Sequence, residues 1–292
     1  MRQAANQPRW RSLLYVPGNN ERFIGKAQTR GADAVVLDLE DSVPDHEKAT
    51  ARTMTAAALP TLAEGPSDLL VRINGGMRLA VPELEAVVQP GLRGIFVPKC
   101  EAAEKLRLIS EVLFDLEAER GLPVGEIALV AMIETPRGLE NVHDIARADP
   151  RLCGMILGSE DFATATGMQP TPEALLAPRQ QIVFAAHAAG IAPLGLLDSV
   201  ANYGDAEHLS AVARRARAFG FRGATCVHPA AVAPLNAAFL PSDEETDWAK
   251  RVVAAMEEAH AQGRGAATLD GRMIDKPLLD RARDILASRP GH

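Results

Sequence analysis

The sequence predicts a (β/α)8 barrel, a TIM barrel, with a helical extension after it. Three observations carry this. Short runs of β-branched and aliphatic residues alternate with longer Ala- and Leu-rich stretches, the pattern of repeated strand–helix units on a parallel sheet. Eight such runs can be counted, and 292 residues accommodate the roughly 250 that an eightfold barrel typically uses. No Gly-x-Gly-x-x-Gly follows the first run, which removes the main support for an open dinucleotide-binding sheet.

The first strand is expected over 12–16, ended by the turn-forming Pro17-Gly18, and a helix follows over 21–29. The second strand, 34–38, closes on Asp38 and leads to a helix over 46–59. After a third strand at 69–73 only 81–88 can serve as a helix. The fourth strand, 94–97, precedes an amphipathic helix over 102–120, and the fifth, 127–133, a weaker one over 138–148. Strands at 155–157, 191–195 and 223–227 complete the eight, with helices at 173–189 and 206–219 between them. Beyond Phe239 the style changes. Ser242 or Asp243 can cap a helix over 244–262, with Glu245 placed for a capping box. A flexible link at 263–267, an Asp-Gly turn within 269–273 and a helix over 275–287 follow. The expected division is a tail (1–10), a catalytic barrel (11–240) and an extension (241–292) that forms a lid, an oligomer contact on a neighbouring subunit, or both.

A formal net charge of −7 argues against nucleic acid as the main partner, although local cations can still hold an anionic substrate. Cys100, Cys153 and Cys226 are widely spaced and lack metal-ligand spacing, so reduced thiols are expected rather than zinc or disulfides. The first ten residues have no apolar core of a secretion signal, and no stretch approaches the roughly 20 apolar residues of a membrane span. A soluble, cytoplasmic protein is expected.

Barrel active sites lie at the C-terminal ends of the strands, so the residues closing each strand carry the chemistry. They are Asn19 after strand one, Asp38, Glu40 and Asp41 after strand two, Arg72 and Asn74, then Lys99, Glu134, Gly158-Ser159-Glu160-Asp161, Asp198 and His228. Carboxylates gathered on one rim repel one another unless a cation intervenes, and hard oxygen donors without Cys or His suit Mg²⁺. Glu134 and Asp161 are the chosen metal pair; the alternative is that they are loop carboxylates, with Asp161 an N-cap. Arg72 can grip a substrate carboxylate or pair internally with Asp38, Glu40 and Asp41, which can in turn orient it or hold metal-bound water. Lys99 can form a Schiff base, but the carboxylate pair already offers a way to stabilise an enolate. His228 can act as a base or simply shape its His-Pro turn, and Asp198 is similarly open.

Together the strings Arg11-Ser12-Leu13-Leu14-Tyr15-Val16-Pro17-Gly18, Val36-Leu37-Asp38-Leu39-Glu40-Asp41, Val71-Arg72-Ile73-Asn74, Val97-Pro98-Lys99, Ile133-Glu134-Thr135, Gly158-Ser159-Glu160-Asp161-Phe162, Val227-His228-Pro229 and Gly271-Arg272-Met273-Ile274-Asp275-Lys276-Pro277 resemble the citrate lyase β-subunit-like group of the HpcH/HpaI aldolase superfamily. The match runs in order from about residue 11 to 287. The resemblance implies a barrel lyase with Mg²⁺ on Glu134 and Asp161, Arg72 on a 2-oxo acid, and backbone donors near Gly158, Ser159 and Glu160 for its carboxylate. It also implies that Asp275 acts as acid/base in a neighbouring subunit's site, hence a homotrimer or a hexamer of trimers. Many relatives carry an Asp after strand seven; the stretch from Leu194 to Tyr203 aligns with an offset, which leaves Asp198 undecided.

The expected reaction makes or breaks the carbon–carbon bond of a 3-hydroxyacyl-CoA such as malyl-, citramalyl- or citryl-CoA. Asn19, Lys26 and Arg30 lie near the strand-one rim and can reach the CoA phosphates, or are exposed helix charges. The alternatives are a malyl-CoA-type thioesterase, a metal-dependent 2-oxo-acid aldolase, and a lyase subunit working with an acyl carrier protein.

Overall fold

A computed structural model describes residues 9–198 and 204–288. The chain divides into two compact units, one ending at Ala237 and the other beginning at Ala238. The first unit contains β1 (Ser12–Pro17), α1 (Glu21–Ile24), β2 (Ala34–Asp38), α2 (Lys48–Leu62), β3 (Asp68–Arg72), α3 (Met77–Val87), β4 (Leu92–Val97) and α4 (Ala103–Glu119). It continues with β5 (Ala128–Ile133), α5 (Pro136–Glu140), α6 (Val142–Ala146), β6 (Leu152–Leu157), α7 (Ser159–Thr166), α8 (Leu176–Ala189), β7 (Ala192–Leu194), α9 (Ala206–Phe219) and β8 (Ala224–Cys226), and the boundary falls at the last residue of α10 (Val232–Ala238).

The eight strands form one parallel sheet in the order β7-β6-β5-β4-β3-β2-β1-β8. A parallel bridge between Leu194 and Gly223 joins the two outer strands. Gly195 N–H donates to the Gly223 carbonyl at 2.8 Å and Arg222 N–H to the Pro193 carbonyl at 2.9 Å, so the sheet closes into a barrel. Gly223 lies so close to the first strand that a Cβ there would sit 1.8 Å from the Trp10 carbonyl oxygen, which only glycine permits.

Strand alternation decides what faces the interior. Leu13 and Tyr15, Ala34 and Val36, Leu70, Phe96, Val130 and Met132, Ile156 and Leu194 pack into one inner cluster. Two residues further along, the same face of β2 ends in Asp38 and that of β3 in Arg72, while the residue beyond β5 is Glu134. The period of two that fills the barrel with apolar side chains therefore places charged ones at its C-terminal mouth. Outside, the helices bury one stripe each, as in α4 with Leu106, Ile109, Leu113 and Leu116 at helical spacing.

All eight expected strands are present with shifts of a few residues at their ends. The expected helix over 21–29 is instead α1 followed by a 3₁₀ turn at Ala27–Arg30, separated by Gly25, whose lack of a side chain weakens helix propagation. The helix α7, directly after β6, was not expected; its buried residues are only Phe162 and Ala163, too few to show a period.

The second unit contains α11 (Asp243–Ala261), β9 (Ala267–Leu269), β10 (Arg272–Ile274) and α12 (Lys276–Ala287). Ser242 and Glu245 form the expected capping box at the start of α11. Asp270 and Gly271, at φ 50 and 75, make the two-residue turn of the β9–β10 hairpin. Val252, Met256 and Ala259 from α11 meet Ile274, Leu279 and Ala282 in a core of this unit's own. Among the described residues no helix is long and apolar enough to cross a membrane.

Candidate active site

Asp38 and Arg72 are register partners on β2 and β3, so their side chains leave the same face side by side. The Arg72 fork meets the Asp38 carboxylate with both prongs, Nε to Oδ1 at 2.6 Å and Nη2 to Oδ2 at 2.7 Å. Its Nη1 reaches Asp41 at 2.9 Å and lies 3.2 Å from Glu40. The Arg72 guanidinium also stacks 4.8 Å from the centre of the Tyr15 ring. Asp38 further accepts the Glu40 and Ser42 backbone N–H groups, which fixes the β2–α2 turn around it. Burial opposes ionisation of both partners, yet the Asp38 hydrogen bonds raise the pKa of Arg72 and the guanidinium lowers that of Asp38. The internal pairing of Arg72 with the three acids is therefore formed.

Glu134 is 2% exposed. Its Oε2 accepts the Lys99 backbone N–H at 2.6 Å, and Lys99 holds this donor in place with φ 50, an unusual conformation for a residue with a side chain. Its other oxygen occupies the space that a side chain at Gly158 would take. Burial raises the Glu134 pKa, and the nearby Asp161 raises it further against the pull of the Lys99 N–H and Arg72. Asp161 and Glu160 sit in the first turn of α7, whose N-cap is Gly158, so Asp161 is not the cap residue. Gly158 N–H donates to the Ile133 carbonyl at 2.9 Å and is not available to a ligand. The N–H groups of Ser159, Glu160 and Asp161 head the helix, where no intrahelical acceptors exist.

Tyr15, Arg72, Glu134, Gly158, Ser159, Glu160, Asp161, Arg179 and Asp198 line one cavity at the barrel mouth, with Met132, Ile156, Leu194 and Phe221 on its apolar side. The donor set suits Mg²⁺. Glu134 and Asp161 are hard carboxylates on one cavity, and the buried Glu134 is held back from ionising by burial and by Asp161, which a divalent cation relieves. Among the described residues there is no cluster of three or more His, Cys, Asp or Glu able to cage a metal.

Other candidates are placed elsewhere. Lys99 Nζ pairs with Glu40 at 3.3 Å, facing a neighbouring groove rather than the cavity. Asp198 borders the cavity and contacts His208 Nε2 at 3.2 Å. His228 Nδ1 accepts the Ala230 N–H and caps its turn. Asn19 donates to the Glu47 carboxylate, Lys26 and Arg30 are exposed, and none of the three lines the cavity. Asp275 is in the second unit, where it caps α12 and accepts the Leu278 N–H.

Tyr15 and Arg179, which bring a ring and a cation to the cavity, are not found by reading strand ends. Tyr15 lies one turn of the pleat below the rim, and Arg179 lies on α8. The signal for Arg179 was present: it falls on the buried stripe of Pro178, Ile182, Val183 and Ala186, where a charge is out of place.

A model of the family described as HpcH/HpaI aldolase/citrate lyase matches residues 11–229. A (3S)-malyl-CoA thioesterase of Cereibacter sphaeroides is 38% identical over 282 residues, spanning 95% of this chain and 94% of its own. A citrate lyase subunit beta of Leuconostoc mesenteroides is 35% identical over 282 residues, spanning 94% and 92%. Among solved structures, the CitE protein of Mycobacterium tuberculosis in complex with magnesium, acetoacetate and coenzyme A superposes with a TM-score of 0.74 at 31% identity, over 98% of this chain and 99% of that one.

Proposed function

The chain belongs to the HpcH/HpaI aldolase/citrate lyase family, a lyase family with a TIM-barrel fold, and from that premise we propose that it is a Mg²⁺-dependent carbon–carbon lyase. Its substrate is a 3-hydroxyacyl-CoA such as malyl-, citramalyl- or citryl-CoA, cleaved to or formed from an acyl-CoA and a 2-oxo acid. The observation that carries this reading is the convergence of Glu134, Asp161 and Arg72 on one cavity.

In this reading Glu134 and Asp161 hold the metal. When bound, Mg²⁺ supplies Lewis-acid polarisation of the oxygen on which charge develops. Arg72, fixed by its three acids, points a rigid cation at the same oxygen and needs no reorganisation during reaction. The head of α7 directs the Ser159 and Glu160 N–H groups at the oxo-acid carboxylate. Asp275, contributed by a neighbouring copy in a trimer or hexamer, gives a proton to the acyl carbon or takes one from it. The segment 241–292 is then the extension that completes the adjacent site, with 11–240 as the catalytic barrel.

The thioesterase name of one relative supports a second reading, hydrolysis of the thioester after or instead of carbon–carbon cleavage. An assay across pairs of acyl-CoA and 2-oxo acid, with and without Mg²⁺ and with product masses measured, separates them. Metal-dependent release of acyl-CoA and oxo acid supports the lyase, and free CoA supports the thioesterase. Turnover only on a thioester of an acyl carrier protein would instead make the chain a subunit of a larger lyase. No metal-dependent turnover of any such substrate would overturn the proposal.

A further inference from the structure

Arg179 projects from α8 into the cavity with 3% of its surface exposed. Its hydrogen-bond contacts are neutral: Nη1 donates to the Leu197 carbonyl at 2.9 Å, and Nη2 lies 3.4 Å from the Ser159 hydroxyl. Among the described residues it has no carboxylate within ion-pair distance; Asp198, which also contacts His208, and Glu160 attract it only from longer range. This contrasts with Arg72, whose fork is paired with Asp38 and Asp41 and neighboured by Glu40. A buried guanidinium with no carboxylate in direct contact is costly, and a clamp between a carbonyl and a hydroxyl needs no charge. Five donors in a planar fork, only two of them so directed, match a carboxylate.

We propose that Arg179 is the receptor for a second carboxylate on the oxo acid, which makes the cavity selective for dicarboxylic over monocarboxylic 2-oxo acids. The inference rests on the oxo-acid reading given above. The carboxylate next to the reacting carbonyl is already provided for by the metal pair and the head of α7. Arg179 is the remaining cation lining the cavity, and it borders Ser159 at the first residue of that helix, within reach of the same bound molecule.

The test is calorimetric titration of the full-length protein in Mg²⁺ with oxaloacetate or 2-oxoglutarate against pyruvate or 2-oxobutyrate. Wild type should bind the dicarboxylates more tightly. Arg179→Gln should weaken the dicarboxylates by about 30-fold, the loss typical of one charge-assisted pair, and the monocarboxylates by about threefold or less. Arg179→Lys keeps the charge without the fork and should lose about tenfold of the preference, so it decides the matter if the Gln variant does not fold. Equal weakening of both classes, or unchanged preference in the Lys variant and in any folded Gln variant, would overturn the assignment and leave Arg179 as a structural clamp. Wild type that binds monocarboxylates alone would overturn it while sparing the lyase reading. Wild type that binds no oxo acid at all would overturn both.

Discussion

Gly158 and Glu134 compete for the same space: a Cβ at Gly158 would lie 2.5 Å from Glu134 Cγ and 2.7 Å from its Oε1. The glycine backbone has φ −77, which any residue adopts, so the constraint is the carboxylate and not the turn. Gly158→Ala is therefore expected to displace Glu134 and leave the barrel folded. Mg²⁺ affinity, followed by calorimetry or by Mn²⁺ substitution, should fall by about tenfold or more, the scale of disturbing a ligand's support. Unchanged affinity would show that Glu134 is not a ligand.

Metal binding should also depend on pH through Glu134. Burial and then Asp161 raise its pKa, so protons compete with Mg²⁺ at higher pH than for an ordinary carboxyl. Affinity is expected to fall as pH is lowered through that raised value. Glu134→Gln should weaken binding and flatten the pH profile; a profile identical in slope to wild type would count against the assignment.

Glu40 supplies a stability signal of opposite sense to the usual acid effect. Burial pushes its carboxyl up to about 7, Arg72 and Lys99 opposing and Asp41 and Glu134 assisting. A carboxyl whose folded pKa exceeds its unfolded value takes stability from the fold as pH rises between the two, and the loss is complete above the folded value. Melting temperatures of Glu40→Gln and wild type, compared from about pH 4.5 to about pH 7, should diverge in favour of the variant's slope as pH rises. Parallel curves would show that Glu40 ionises without cost.

The pair Glu117–Arg151 is purely structural. Glu117, fully buried at the end of α4, receives both prongs of Arg151 at 2.5 and 2.8 Å and also the Gly125 and Ile127 N–H groups. Burial alone would raise its pKa, but these donors lower it, so its contribution is present above the unfolded pKa and lost as pH falls through the folded one. Glu117→Ala leaves Arg151 buried without a counter-charge and should cost about 3–5 kcal/mol in urea unfolding at neutral pH, with the substrate KM of the folded protein unchanged.

Asp275 has a capping role within its own unit, so an alanine there would confuse helix loss with chemistry. Asn caps as well as Asp but cannot exchange a proton. Asp275→Asn is expected to keep the melting temperature and Mg²⁺ affinity and to lose turnover by about 100-fold or more. Full activity would remove Asp275 from the mechanism.

Much of the fold was legible because parallel strands buried on both faces read as short aliphatic runs, from Val35-Val36-Leu37 to Val130-Ala131-Met132, each followed by a polar residue at the barrel mouth. The rim acids were legible for the same reason. What could not be read were relationships across the barrel. Whether Arg72 faced a ligand or its neighbours depended on the register that sets it beside Asp38. The cations Lys26 and Arg30 were near the rim in sequence but are exposed in a turn whose helix is broken at Gly25. Arg179 was hidden because strand ends are blind to a side chain arriving from a helix.

Of the barrel's eight seams, the one between β7 and β8 is fastened, among the described residues, by a single bridge and its two flanking hydrogen bonds, whereas β1 and β2 share five paired positions. A cylinder laced this unevenly breathes at its loosest stitch. Deuterium should enter the amides of Gly195 and Arg222 well before those of Val35 and Val36.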